Sequence, residues 1–175
     1  MQIGQTKIKE LLETATPETI NHFMLKEVEH TWRAKFQDCQ QFVFKDGVEQ
    51  MIVLVDLKGA NLKSISNKQV TSIFKKLTLE FQKFYPEMVD SIFIVNSPMF
   101  FEGVWESEIK PQLSPKTISK IHITGESSHQ LLLERFAPDN LPQLYGGTCE
   151  CDATCVYSDK GPWADIENKI NYQNK

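Results

Sequence analysis

No stretch of this chain is apolar for anything near the roughly 20 residues that a membrane-spanning helix needs. The opening Met1-Gln2-Ile3-Gly4-Gln5-Thr6-Lys7 has no apolar stretch after its charge, so it does not read as a secretory signal. Lacking arginine, it does not read as a transit peptide either. Cysteine is scarce: only Cys39, Cys149, Cys151 and Cys155 occur among 175 residues. That count sets a reduced, intracellular setting as the expectation, with the chain soluble or peripheral to a membrane. A basic excess is also missing. The net charge of −4 argues against a general nucleic-acid binder, although it leaves room for a local basic patch facing anionic lipid. There is no internal repeat and no low-complexity tract.

The usual catalytic signatures are absent too. Gly125-Glu126-Ser127 lacks the G-x-S-x-G order of a hydrolase elbow. Gly146-Gly147 lacks the lysine and spacing of a phosphate loop. Of the four histidines, His22 and His30 sit two turns apart on the expected wet side of a helix. His122 alternates with Ile121 and Ile123, and neither it nor His129 stands beside a serine or cysteine in a nucleophile motif. No catalytic residue and no cofactor is therefore assigned, and the chain is not expected to be an enzyme.

What is present is an ordinary globular composition, 41% apolar and 24% charged, long enough for one domain with one core. Lys7 to Glu13 predicts a short helix with Ile8, Leu11 and Leu12 on one side. Thr16-Pro17-Glu18 is a helix start: a hydroxyl cap, proline at the first position, then an acid. Ile20, Met24, Val28, Trp32 and Phe36 follow at four-residue steps and, joined by Phe23, mark one apolar helix face. Asp46-Gly47 marks a turn. Met51 to Val55 is a continuous apolar run closed by Asp56, which reads as a strand buried on both faces, as in a parallel sheet covered by helices. A second helix carries Val70, Ile73, Phe74, Leu77, Phe81 and Phe84 in register, and Ile92 to Val95 is another buried strand. Phe100 to Lys110 reads as helical and is closed by Pro111; Ser114-Pro115 starts a short helix; Ile121 to Thr124 is a strand; Ser127 to Phe136 is a helix. Strands alternating with helices predict an α/β fold whose sheet is largely parallel, floored and flanked by helices.

Four stretches in order carry a resemblance. They are Val55-Asp56-Leu57-Lys58-Gly59; Phe84-Tyr85-Pro86-Glu87 leading to Phe93-Ile94-Val95-Asn96-Ser97-Pro98; Leu113 to Ile121; and Asn140 to Gly147. Together they resemble the CRAL-TRIO lipid-binding domains, and Ser158 to Trp163 is similar to the ending of the phosphatidylinositol-transfer branch. The resemblance divides the chain into an N-terminal segment 1–15, a lipid-binding domain 16–148 and a tail 149–175. It implies a non-covalently held phosphoinositide or other apolar ligand lying under a movable gate helix.

Within that resemblance, Glu87, Thr117 and Lys120 match the residues that hold the headgroup. The chemistry suits a phosphoinositide. Lys120 brings a charge and three donors to a phosphate. Thr117 lies where a helix start favours an anion. Glu87 accepts from inositol hydroxyls or orients the lysine. Met51 and Val53 stand where the branch carries hydroxyl residues for phosphocholine, which argues against phosphatidylcholine. Two further departures matter. The family's N-terminal helical lobe, with an arginine that completes the phosphate clamp, is expected to be missing. The gate segment Glu102 to Glu108 is also more acidic than a lipid cover should be, because acids facing an acyl chain are costly to bury.

A missing lobe would bare the helix carrying Ile20, Met24, Val28 and Trp32, with only Ile8, Leu11 and Leu12 to cover it. A protein partner is therefore expected beside a phospholipid ligand and contact with a membrane surface. The alternative function is a non-catalytic subunit that keeps the fold without lipid transfer. Cys149-x-Cys151-x3-Cys155 reads as a thiol-bearing structural tail, with cysteines similar to those of the resembling branch. Zinc would need a distant Cys39, or Asp152 or Asp159, as fourth ligand, so no metal is assigned.

Overall fold

Apolar residues dominate the strands of the sheet. In the computed structural model, β1 (Met51–Asp56), β2 (Val89–Val95) and β3 (Ile121–Ile123) form a three-stranded sheet in that order, with both pairings parallel. The structure describes residues 2–37, 39, 50–85, 87–125, 128–151, 154, 155, 157, 158 and 160–164. The Asp46-Gly47 turn, Asp152 and Asp159 of the tail, and Ser127 lie outside them. The chain forms two units, Met1–Leu25 with Gln50–Ser128, and Lys26–Glu49 with His129–Lys175. No described helix is long and apolar enough to cross a membrane.

The first unit holds the sheet. β2 is its central strand and the most buried one; Val95 is fully enclosed. β1 departs from expectation. Its apolar run is half-buried, not buried on both faces, because it lies at one edge of the described sheet. Among the described residues only its last one gains a neighbour there, where Gln2 bridges Asp56 and the Gly4 N–H donates to the Asp56 carbonyl at 3.0 Å. Parallel register places Val53 beside Ile92 and Ile121, and Val55 beside Ile94 and Ile123, all on one face.

That face is covered by the chain that follows β2. Phe101–Val104 is α-helical, Trp105–Ile109 widens into a π-helical turn, and Lys110–Gln112 closes as a 3-10 turn. Pro111 thus sits inside the closing turn instead of ending the helix outright. Phe101 and Trp105 form a buried cluster with Leu57 and Ile94, and Val55, Ile92, Ile109 and Ile121 pack around it. Each such side chain contributes about 1.5–3 kcal/mol when fully buried. The acidity of this segment finds its explanation here. Glu102, Glu106 and Glu108 are exposed while Phe101, Val104 and Trp105 are buried, so no acid faces the core.

Helix starts follow the sequence closely, since each is made by a local side-chain oxygen. The Thr16 hydroxyl accepts from the Thr19 N–H at 3.2 Å at the start of Pro17–His30. Asn61 accepts from Ser64 N–H at 3.0 Å, and Asn67 from Gln69 N–H at 2.8 Å at the start of Lys68–Phe84. Helix faces were less legible. Phe23 is 59% exposed and Phe84 61% exposed, and Trp32 also reaches solvent, although all three keep helical spacing with half-buried or buried apolar neighbours. Phe84 lies at the last residue of its helix, under the Lys83 ammonium at 5.0 Å, so register alone does not enclose it. His22 and His30 are exposed as expected.

In the second unit, Phe36, Cys39, Leu132, Leu141 and Tyr145 are buried. Helix Pro17–His30 runs on as a π-helical stretch, Thr31–Phe36, where Trp32 and Phe36 rings lie 5.3 Å apart. Lys35 stands over the Trp163 ring at 4.9 Å, which ties the Ser158 to Trp163 motif to this stretch. Gly147 is a packing requirement: a Cβ there would lie 1.9 Å from the Leu141 carbonyl oxygen.

Candidate functional site

The amino-terminal ends of β2 and β3 carry the residues singled out for a headgroup. Glu87 sits in the turn before β2, with a left-handed backbone (φ 67) that is uncommon for a non-glycine residue. Gln50, just before β1, donates from Nε2 to the Glu87 carbonyl at 2.8 Å and holds that turn. Lys120 lies immediately before β3. Its Nζ donates to the Val89 carbonyl at 2.6 Å and stands 3.6 Å from Glu87 Oε2. Only 23% of its side chain is exposed, so this ammonium is partly withdrawn from water. Met51 pairs with Val89 in the sheet, which places the first residue of β1 beside the same carbonyl.

Thr117 belongs to the short turn Pro115–Ile118 between the two lysines. Ser114 caps that turn, accepting from the Thr117 N–H at 3.0 Å and meeting the Thr117 hydroxyl at 2.9 Å. The Thr117 N–H is therefore spent on the cap, and a turn of four residues offers no helix terminus for an anion. Sequence reasoning missed Lys116. Its Nζ forms a close ion pair with Glu87 Oε1, so two lysines, not one, converge on one carboxylate. The Lys116-x-x-x-Lys120 spacing was the available signal, visible only once the chain is known to turn between them. The Lys116 hydrogen bond and charge, helped by Lys120, hold the Glu87 carboxyl below its usual range. Met51 and Val53 are half-buried, offer no donor, and by alternation share the sheet face with Val55.

The tail thiols also meet. Cys149 Sγ lies 4.0 Å from Cys151 Sγ and 3.6 Å from Cys155 Sγ. The Cys155 hydrogen bond, desolvation and the Cys151 neighbour push the Cys149 thiol up to about 11. A hydrogen bond from Ser158, then Cys155, lowers the Cys151 thiol from its ordinary value.

Comparison with known proteins decides the family. The CRAL/TRIO domain model matches residues 6–147. The chain belongs to the CRAL/TRIO domain family. It is 34% identical over 168 residues to phosphatidylinositol/phosphatidylcholine transfer protein SFH7 of Arabidopsis thaliana, covering 95% of this chain and 30% of that protein. It is 34% identical over 164 residues to Sec14 cytosolic factor of Schizosaccharomyces pombe, covering 93% of this chain and 55% of that protein. The chain thus spans about a third to a half of these relatives. The crystal structure of Sfh5 superposes with a TM-score of 0.56 at 18% identity, covering 79% of this chain and 49% of that one, so the fold is shared. The parallel α/β architecture expected from the sequence is the CRAL/TRIO fold. Its motifs fall at turns and strand ends: the Asp56 carboxylate accepts from the Lys58 N–H and the Asn96 amide, each at 2.8 Å, and so joins the first two motif stretches.

Proposed function

We propose that this chain is a non-catalytic phospholipid-binding module. Lys116, Lys120 and Thr117, organised by Glu87, meet the headgroup, and the sheet face of Val53, Val55 and Ile92 meets an acyl chain. The observation that carries this reading is the convergence of two ammonium groups on Glu87 at the strand end beside Met51. Two lysines supply charge-assisted donors for a phosphate, and Glu87 accepts from ring hydroxyls. The acyl face is covered by Phe101 and Trp105, so a lipid enters when the segment Phe101–Ile109 swings away. Acyl burial then supplies about 0.8 kcal/mol per methylene. The names of the relatives, which specify phosphatidylinositol and phosphatidylcholine transfer, support the lipid class. Exchange with a bilayer requires peripheral membrane contact. The subunit alternative and a protein partner have no observation behind them.

Met51 and Val53 supply no hydrogen-bond donor, so an inositol headgroup is favoured over phosphocholine. Vesicles with labelled phosphatidylinositol or phosphatidylcholine, incubated with the purified chain and followed by native mass spectrometry, test this. Phosphatidylinositol should be retained and phosphatidylcholine taken up at least about ten-fold less well. The Lys116→Ala/Lys120→Ala chain should retain at least about ten-fold less phosphatidylinositol, since a charged hydrogen bond contributes about 1.5–3 kcal/mol. Undiminished retention by that variant would overturn the headgroup assignment. No retention of either lipid by the parent chain would overturn the function.

A further inference from the structure

The thiol triangle lies in a different unit from the charged cluster, and the lipid reading gives it no role. Its dimensions do. The sulfur atoms of Cys149, Cys151 and Cys155 all lie within 4.8 Å of one another, with the shorter separations at 3.6 and 4.0 Å. Thiolates around tetrahedral zinc sit about 2.3 Å from the metal, which places them roughly 3.8 Å apart. The triangle therefore has the size of one face of such a site. We propose that Cys149, Cys151 and Cys155 bind one soft, thiophilic cation, with Zn2+ the principal ion.

The frame around the sulfurs supports this assignment. Cys149 is held on both sides of its peptide: its N–H donates to the Leu141 carbonyl at 3.1 Å, and its carbonyl accepts from Gln143 at 3.3 Å. These bonds fix it to the tight chain at Gly147, where no side chain fits. Cys155 folds back over Cys149, donating from Sγ to its carbonyl at 3.2 Å. The turn after it is closed by Tyr157 and Ser158 N–H groups on the Thr154 carbonyl, at 3.1 and 3.0 Å. Two ligands thus come from hydrogen-bonded backbone six positions apart. A disulfide would need a sulfur separation near 2.05 Å and would leave the third thiol unmatched. Three sulfurs, with no carboxylate grouped with them among the described residues, suit Zn2+ or Cu(I) better than Mg2+ or Ca2+. Zn2+ would take a fourth ligand beside the three sulfurs, whereas Cu(I) is satisfied by three. In either case the ion clips the segment after Gly147 into a closed loop.

The spacing C-x-C-x3-C alone pointed away from a metal, since it contains no two well-spaced pairs. What it does not display is the fold-back that brings Cys155 over Cys149.

The test uses the full chain, reduced and handled without oxygen. Co2+ is titrated and its sulfur-to-metal charge-transfer absorption followed, then displaced with Zn2+; Cu(I) is titrated separately against a colorimetric chelator. The expected result is saturation at one ion per chain. Cys151→Ser and Cys155→Ser should each weaken binding by about 100-fold or more, the upper end of what even outer-sphere changes cause. Lys116→Ala/Lys120→Ala, which weakens the lipid site, should leave metal binding unchanged, so the two assignments fail independently. Should the serine variants not fold, limited proteolysis of the parent chain is read instead, with Zn2+ expected to suppress cleavage between Cys149 and Lys160. Absence of saturable binding of both ions, equal affinity in the triple serine variant, or unchanged proteolysis with Zn2+ would overturn the proposal. A Cys149–Cys155 disulfide persisting in reducing buffer would overturn it too.

Discussion

The two ends of the same three strands treat a carboxylate in opposite ways. At the carboxyl ends, Asp56 is almost fully buried and accepts from the Lys58 N–H and from Asn96 Nδ2, each at 2.8 Å. Asn96 takes a left-handed backbone there (φ 53), Leu57 donates to Val95 at 3.0 Å, and Ser97 donates to Thr124 at 3.0 Å. That end is closed by hydrogen bonds. At the amino ends, Glu87 is exposed and its partners are two lysine ammonium groups, that of Lys116 exposed and that of Lys120 partly withdrawn from water. A buried carboxylate fully engaged by neighbouring groups acts as a structural joint. An exposed one held among ammonium groups can exchange those partners for a ligand at little cost, because surface ion pairs are weak. In doubly wound sheets, ligands usually sit beyond the carboxyl ends of the strands. Here the carboxyl end is closed, and the proposed headgroup site lies at the amino end.

Replacing Asp56 should break this contrast most strongly. Asp56→Ala strands two donors in a dry place, and loss of charged hydrogen bonds at about 1.5–3 kcal/mol each predicts destabilisation of about 3 kcal/mol or more. Urea unfolding should show a lower midpoint with an unchanged slope. Asp56→Asn, which keeps the shape, should cost less. A loss no larger than that of a surface mutation would show that the carboxyl end is not joined through this side chain.

A smaller effect is expected at the Ser114 cap. Ser114→Ala removes the acceptor for the Thr117 N–H and should cost about 1 kcal/mol. It should also shift the amide signals of Lys116 and Thr117, because the cap fixes the turn that presents both. Normal stability together with unmoved signals would separate the turn from the site.

The smallest effect on stability, and the most direct probe of the amino end, is the titration of Glu87. Its folded-state carboxyl is held down, chiefly by Lys116. Its contribution is therefore complete above the ordinary glutamate range, near pH 4.3, and is lost as pH falls through the lower folded value. A carbon-detected NMR titration should place the midpoint below that of free glutamate, and Lys116→Ala should move it upward. An unshifted midpoint in the parent chain would remove the ion pair as an organiser of the site.

Much of this was open to reading in the residues. Periodicity of 3.6 and the helix starts at Thr16 and Ser114 act over three or four positions, so the helices lie close to where the local pattern places them. Unbroken apolar runs located β1 and β2, and the ordered motifs led to the CRAL/TRIO fold. Glu87, Thr117 and Lys120 were singled out through that resemblance, and the structure brings Glu87 and Lys120 to 3.6 Å.

Only the tertiary structure decided the rest, because each remaining feature depends on which surface a neighbour covers. Met51 to Val55 could not reveal its place at one edge of the described sheet, since apolarity does not count adjacent strands. Phe23 and Phe84 keep helical register, yet exposure is set by what packs across from them. The gate acids looked costly until the buried positions of Phe101 and Trp105 turned Glu102, Glu106 and Glu108 outward. Lys116 joined Glu87 from 29 positions away, and Cys155 folded back onto Cys149. Such meetings are made by chain reversals whose geometry no local pattern encodes. The sequence by itself determined the elements, their order and the chemistry at hand; folding decided which charges and which sulfurs would face one another.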